Sequence, residues 1–521
     1  MRMKHKGRLL LVLGIVFLVL AWGIAWSQVT ERLSVDTTGS DADSGSSNPS
    51  TSSNGSYVAF QSDATDLVAG GSNGSMHIFV RDRQTGTTTQ VSVDSAGNET
   101  LNPSRVPSIS GDGMHVAFES DANLDLVAGD TNPFSDIFVR DLLAVTTTLV
   151  SVDSTGAQDL GPSVSPSVSS DGRYVAFQSE ADLVLPDNGL IDIFVHDRDD
   201  DEDGTYDEVG SVSTVRVSVD AAGSQGDDHS YSPSISSDGR YVAFESRSTN
   251  LVPGGSSGLI HIFVHDRDAD DDGIYDDEDG NYDPGEVSTV QVSVDSTGIE
   301  GDSGSSTPSI SADGRYVAFV SNATNLVPGG SDGSFHIFVH DRDADDDGIY
   351  DEVGGISTVQ VSVDAAGTEG DAGSSAPSIS ADGRYVAFAS SATNLVPGGS
   401  SGLIHIFVHD RDADGDGIYD DEDGSYDPGE VSTVQVSVDS NGVEGNGNSN
   451  NPSMSADGKS VIFESDADNL VGAGNDNNGA PDIFADDLQA GAGQNEGDGN
   501  SSGGCFIATA ADESGMAGEV K

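Results

Sequence analysis

The sequence predicts an all-β fold, a seven-bladed β-propeller with four antiparallel strands per blade, closed by the N-terminal strand completing the last blade. Three observations predict it. Three short patterns recur in fixed order, seven times each. All of them are rich in Val, Ile, Phe and Tyr and bounded by Gly, Asp, Ser and Pro, with no sustained helical periodicity beside them. The copies at the two ends are incomplete in complementary ways.

The first pattern runs from Pro-Ser through a turn into an apolar strand, as in "PSISADGRYVAF" ending at Phe319, with counterparts ending at Phe60, Phe118, Phe177, Phe244, Phe388 and Phe463. The second, "IFVHD" or a close variant, begins at Ile78, Ile137, Ile193, Ile262, Ile337, Ile406 and Ile483. The third, "VSVD", ends at Asp36, Asp94, Asp153, Asp220, Asp295, Asp364 and Asp439. The Pro-Ser-x-Ser segment supplies a further short strand, and Asp313-Gly314 and its equivalents read as a tight hairpin turn. Four antiparallel strands per unit, repeated, describe a propeller blade. A lone "RLSVD", Arg32 to Asp36, precedes the first complete unit, and no "VSVD" follows Asp487. The N-terminus is therefore expected to supply the outermost strand of the blade whose inner three strands come from the C-terminus. That arrangement satisfies backbone groups that two open sheet edges would expose.

"PSISADGRYVAF…IFVHD…VSVD" resembles the WD40-like repeat of TolB-type β-propellers, over about residues 33–487. The resemblance implies the fold. The extra N-terminal α/β domain of TolB has no counterpart here, so TolB's partners do not carry over.

Of 521 residues, 88 are Asp or Glu and 21 are Lys or Arg, for a formal net charge of −67. Such a surface repels phosphate backbones and anionic lipid heads, which argues against nucleic-acid and peripheral membrane binding, and it attracts cations. Residues 1–27 read as an export signal: Arg2, Lys4, Lys6 and Arg8 precede an apolar run from Leu9 to Trp26, with Ala25 and Ser27 placed for cleavage before Gln28. The run also reaches membrane-spanning length, so an uncleaved anchor is the other reading. Either way the body, residues 28–489, is expected outside the bacterial cytoplasm as a monomeric propeller.

Copies three to six carry an acidic insertion between the third and fourth strands. In "DADGDGIYDDED", Asp412, Asp414, Asp416, Asp420 and Asp423 occupy positions 1, 3, 5, 9 and 12, with Gly417 at position 6. Asp268, Asp270, Asp272, Asp276 and Asp279 repeat the spacing around Gly273. Calcium takes six to eight oxygens, and alternate carboxylates on a sharply turning loop supply them, with a backbone carbonyl at position 7, here Ile274 and Ile418. Two further copies lack the last ligand: Asp199, Asp201, Asp203 and Asp207 end at Gly210, and Asp343, Asp345, Asp347 and Asp351 end at Gly354. The spacing resembles the calcium loops of thrombospondin type 3 repeats and dockerins. Ca2+ is the expected cofactor; general surface solvation is the alternative reading of the same acids.

The paired histidines of "HIFVH" (His261 and His265, His336 and His340, His405 and His409) share a strand face. Because they recur at matched repeat positions, they read as packing or hydrogen-bonding groups. Zinc needs three or four converging ligands, and the sequence displays no such cluster. No GxSxG nucleophile elbow, which needs a strand-to-helix turn, is expected, and neither HExxH nor a phosphate loop is present. The expected function is a non-enzymatic binding or scaffold module for a protein or glycan ligand, using the Ser-lined channel and the loop-bearing faces. The alternative is a propeller enzyme acting on glycans through carboxylates hidden among the many acids. After a Gly/Asn/Ser-rich linker, residues 490–504, the tail 505–521 resembles the CFI-box module of exported bacterial proteins. That resemblance implies modification or anchoring at Cys505, the single cysteine; Asp512-Glu513 stand where the module has Tyr-Gly.

Overall fold

The computed structural model describes residues 30–121, 125–276, 285–420, 429–471, 476 and 478–488. The leader, the linker, the tail with Cys505, and the position-12 residues Asp279 and Asp423 lie outside them. The described chain is a seven-bladed β-propeller. Each blade is a four-stranded antiparallel sheet, and six of the sheets take their strands in chain order. In blade 5 the strands are Ser305–Ile310, Tyr316–Ser321, His336–Asp341 and Ser357–Gln360, counted outward from the channel. Blade 7 combines Ser449–Met454, Ser460–Ser465 and Asp482–Asp487 with the N-terminal strand Thr30–Arg32, which pairs Thr30 with Asp486 and Arg32 with Phe484. The closure expected from the two incomplete ends is the one observed.

The three patterns acquire physical roles. Phe of "YVAF" lies beside Phe of "IFVH" in every blade, with ring centroids 5.9–6.1 Å apart. One face of each blade packs on the opposite face of the next: Tyr241, Ala243, Ile262 and Val264 of blade 4 meet Val317, Phe319 and Phe338 of blade 5. Ile462, Ile483 and Ala485 of blade 7 meet Val58, Phe60 and Phe79 of blade 1 in the same way, so the core runs through the closure.

The "VSVD" tetrad is not itself the fourth strand. The regular strand ends one residue earlier, as at Gln90 or Gln360, because the next ladder bond goes to a side chain. The serine hydroxyl takes the N–H of the third-strand Ile: Ser92 from Ile78, Ser362 from Ile337, and Ser34 from Ile483. The following Asp closes a turn by accepting N–H groups two and four residues on, as Asp295 does from Thr297 and Ile299.

The Pro-Ser serines tie neighbouring blades together. Ser234 Oγ accepts the N–H of Ile310, Ser309 that of Ile379, Ser378 that of Met454, and Ser453 that of Thr51 across the closure. At the start of the hairpin turns, a second ring is made of main chain alone. N–H groups of Ser53, Asp112, Ser170, Ser237, Ala312, Ala381 and Asp457 each reach a carbonyl of the adjoining blade at 2.9–3.4 Å, the last returning to Ser53. The space within this ring is only about 150 Å³. This corrects the channel expectation at that end: the serines there bond blade to blade, and small residues bring the backbones together.

Candidate metal loops

Antiparallel order places the hairpin turns and the acidic insertions on one face of the ring, and the loops joining second to third strands on the other. Each insertion follows a third strand that ends in Asp, and opens with Arg-Asp. The arginines Arg198, Arg267, Arg342 and Arg411 are almost wholly buried, 1–2 % exposed. Arg342 donates to the carbonyl of Gly314 and to the carboxylate of Asp351. Its guanidinium lies 4.8 Å from the ring of Tyr241 in the preceding blade and 4.9 Å from that of Tyr350 in its own insertion. Arg267 and Arg411 repeat the sandwich with Tyr174 and Tyr275, and with Tyr316 and Tyr419. Cation–π contact and a charged hydrogen bond together compensate the desolvation of the guanidinium.

The aspartates expected at position 9 therefore face arginine. Asp207, Asp276, Asp351 and Asp420 bind Arg198, Arg267, Arg342 and Arg411 at 2.5–2.6 Å. With the adjoining tyrosine they anchor the second half of each loop to its blade. Spacing alone did not reveal this, because an ion-pair partner nine residues away has the same periodicity as a ligand.

The first half of each loop gathers its carboxylates. Carboxylate oxygens of Asp199, Asp201 and Asp203 lie within 4.8 Å of one another, as do those of Asp268, Asp270 and Asp272, and those of Asp343, Asp345 and Asp347. The position-1 side chain is buried, and its carboxylate accepts backbone N–H groups of positions 5 and 6: Asp268 from Asp272 and Gly273, Asp343 from Asp347 and Gly348. Burial raises the pKa of Asp268, opposed by these bonds and by Arg240. Position 5 accepts the N–H of position 7, as Asp272 does from Ile274 and Asp416 from Ile418. Gly273 and Gly348 take the sharp turn with φ of +86° and +85°.

A second arginine contacts each loop from the hairpin side. Arg240 and Arg315 pair with Asp266 and Asp341 and reach position 4, Asp271 and Asp346, at 2.8 and 2.9 Å. Blade 6 has Gly415 at position 4, and there Arg384 turns to the position-1 carboxylate, Asp412, at 3.2 Å. In blade 5 the sequence missed Glu352. A Cβ added at Gly355 would lie 2.9 Å from Glu352 Cγ and 3.0 Å from Asp345 Oδ1, so the glutamate stands beside the trio that lacks a position-12 acid. The like charge of Asp347, with some desolvation and the charges of Asp345 and Asp343, raises its pKa.

Between blades 3 and 4 on this face lies a groove of about 1130 Å³, lined by Asp171, Arg173, Tyr174, Glu202, Arg240 and Tyr275 among others.

The histidines do not converge in pairs. His261 Nδ1 meets Ser293 Oγ, and His265 Nδ1 meets Thr289 Oγ1. Burial pushes the second histidines down, His196 and His340 to about 4 and His265 and His409 to about 3. They are neutral donors to a threonine whose hydroxyl then bonds the preceding blade, as Thr289 does to the Val219 carbonyl at 2.6 Å.

No family model matches the chain, and no curated protein matches it. Similar solved structures are distant. A putative TolB from Agrobacterium tumefaciens is 15 % identical, with 64 % of this chain and 88 % of that one covered and a TM-score of 0.34. An oligogalacturonate lyase in complex with manganese is 14 % identical, covering 89 % and 97 %, with a TM-score of 0.45. The β-propeller domain of the Trilobed protease from Pyrococcus furiosus is 10 % identical, covering 87 % and 99 %, with a TM-score of 0.42. The likeness is one of fold and assigns no activity.

Proposed function

We propose that this chain is an exported, calcium-binding β-propeller acting as a non-enzymatic binding or scaffold module at the bacterial cell envelope or outside the cell. The observation that carries the reading is the convergence of three carboxylates, at positions 1, 3 and 5, in blades 3, 4 and 5. The donor set is all oxygen and negatively charged, which suits a hard cation. Calcium is preferred to magnesium because these loops offer several flexible protein oxygens, whereas magnesium keeps most of its water. With position 9 held by arginine, the remaining coordination falls to the position-7 carbonyl, to water and, in blade 5, to Glu352.

Charge follows the same logic. Three carboxylates crowded at one turn repel one another, and a divalent ion relieves that repulsion while leaving the anchored half of the loop unmoved. Calcium thus sets the conformation of the acidic half, next to the groove between blades 3 and 4. The groove combines arginines, carboxylates and tyrosine faces, chemistry suited to a polar ligand such as a glycan or a protein loop.

Thermal melting of the full chain in millimolar calcium and in chelator tests the cation: a higher melting temperature with calcium is expected, and coincident curves would refute it. A glycan array followed by a reducing-sugar assay tests the second part. Binding without release of reducing ends fits a binding module, and turnover would make the chain a glycan-acting enzyme instead.

A further inference from the structure

On the face opposite the acidic loops, four blades begin their third strand with a buried histidine: His77, His261, His336 and His405, each about 0 % exposed. Each has a glutamate from the following connection near its Nε2: Glu99 at 3.7 Å, Glu300 at 3.5 Å, Glu369 at 3.8 Å and Glu444 at 3.5 Å. Four residues before the histidine stands Asn73, Ser257, Asp332 or Ser401. Blade 5 alone has an acid at this position. There Asp332 Oδ1 lies 3.2 Å from His336 Nε2, and ligand atoms of Asp332, His336 and Glu369 all fall within 4.8 Å of one another.

The acid changes a second contact. In blades 1, 4 and 6 the glutamate carboxylate accepts the backbone N–H of the residue four before the histidine, Asn73, Ser257 or Ser401, at 3.1–3.2 Å. Blade 5 has no such bond from Asp332. The Glu369 side chain there has His336 as its only partner among the described residues. Its backbone is nonetheless fixed, by a bridge to Val363 and by the Asn394 amide of the next blade on its carbonyl. In the other blades a backbone N–H thus holds the glutamate carboxylate; in blade 5 that bond is absent, and the carboxylate stands 3.8 Å from the imidazole with Asp332 on the same Nε2.

We propose that Asp332, His336 and Glu369 form a site for a borderline divalent metal, zinc in the first instance, distinct from the calcium loops. One nitrogen and two carboxylate oxygens are a common donor set for such ions. Zinc bonds of about 2.0–2.2 Å at tetrahedral angles place ligand atoms roughly 3.3–3.5 Å apart, and the observed 3.2 and 3.8 Å differ from that by a few tenths of an ångström. Ser362 Oγ, 3.2 Å from His336 Nδ1, supplies the outer hydrogen bond that orients a ligating imidazole. Side chains of Asp332 and Glu369 are 47 % and 30 % exposed, so the remaining coordination positions face solvent and admit water or an exogenous ligand. The metal would join the loop before the third strand of blade 5 to the connection entering blade 6.

The test uses the full chain in saturating calcium, so that oxygen-only sites are filled, and titrates Zn2+ against a chromophoric chelator. One zinc per chain is expected, with at least tenfold weaker binding in Asp332→Ser, which installs the residue of blades 4 and 6. That position is exposed, so folding is preserved. Cobalt in place of zinc should give the intense visible bands of a low-symmetry nitrogen-containing site, lost in the same variant. No zinc uptake by the parent, or equal uptake by the parent and Asp332→Ser, would overturn the proposal.

Discussion

Thr30 Oγ1 lies 2.7 Å from the carbonyl oxygen of Val438 and 3.0 Å from a carboxylate oxygen of Asp486, joining the start of the described chain to the two blades at its far end. The contact reproduces a tie found inside the ring, where Thr433 bonds the Val363 carbonyl and receives His409. Nearby, Arg83 of blade 1 binds Glu31 of the N-terminal strand at 2.5 Å and Asp487 at 2.9 Å. The closing strand is thus held from its own blade and from both neighbours.

Thr30→Val removes the hydroxyl and leaves a buried carbonyl without its donor, a loss of about 1–3 kcal/mol. Thr87→Val, at an exposed position of the blade 1 outer strand, should change stability by less than about 0.5 kcal/mol. Urea melts of both variants measure the difference; equal melts would show that the strand is not held by this contact.

Asp486 stands where blades 3 to 6 have a histidine, and burial pushes its pKa up to about 7, with the Thr30 hydroxyl lowering it and Asp487 raising it. Because Thr30 can give its proton to Val438, Asp486 serves the tie best when protonated. The folded-state pKa stands above the unfolded value near 4, so this contribution is complete below pH 4 and is lost as pH rises toward and through 7. Asp136 and Asp482 are raised to about 7 by burial as well and act in the same direction. Asp486→Asn, a neutral donor at every pH, should melt higher than the parent at pH 8 and show a smaller fall between pH 5 and 8. A parallel pair of pH profiles would contradict the assignment.

Gly314 adopts φ of +77°, and a Cβ there would come within 2.2 Å of the Tyr241 ring of the preceding blade. Gly298 has a similar φ of +82°, with nothing within 4 Å of the same atom. Gly298→Ala should cost about 1 kcal/mol from backbone strain alone. Gly314→Ala should cost about 1–3 kcal/mol more, because the ring and the Arg342 stacked on it must shift. Denaturant melts separate the two; equal losses would mean that the blade-to-blade aromatic contact is slack.

The seven strands of each kind were legible because each blade buries the same residues at the same period, so packing is written as repetition. The complementary ends gave the closure for the same reason. Less was legible wherever a side chain acts across blades. Asp351 and Asp345 look alike in the insertion, yet one meets a buried arginine and the other a carboxylate cluster. That choice depends on Tyr241 of the preceding blade, whose pairing with Arg342 no local spacing announces. "VSVD" was read as a strand although Ser362 replaces a main-chain acceptor there. Asp332 and Glu369 are far apart in sequence and meet His336 only because two connections share one face of the ring.

Calcium binding by the acidic loops is tested most directly by calorimetric titration of Ca2+ into the metal-stripped full chain, beside variants with Asp-to-Asn changes at the exposed positions 3 and 5. At least three sites per chain are expected, with affinities of about 10⁻⁴–10⁻³ M, the range of extracellular modules. Asp270→Asn with Asp272→Asn should remove one site and leave the fold intact. Absence of binding heat in the parent, or heat unchanged when Asp201, Asp203, Asp270, Asp272, Asp345 and Asp347 are all Asn, would contradict the account.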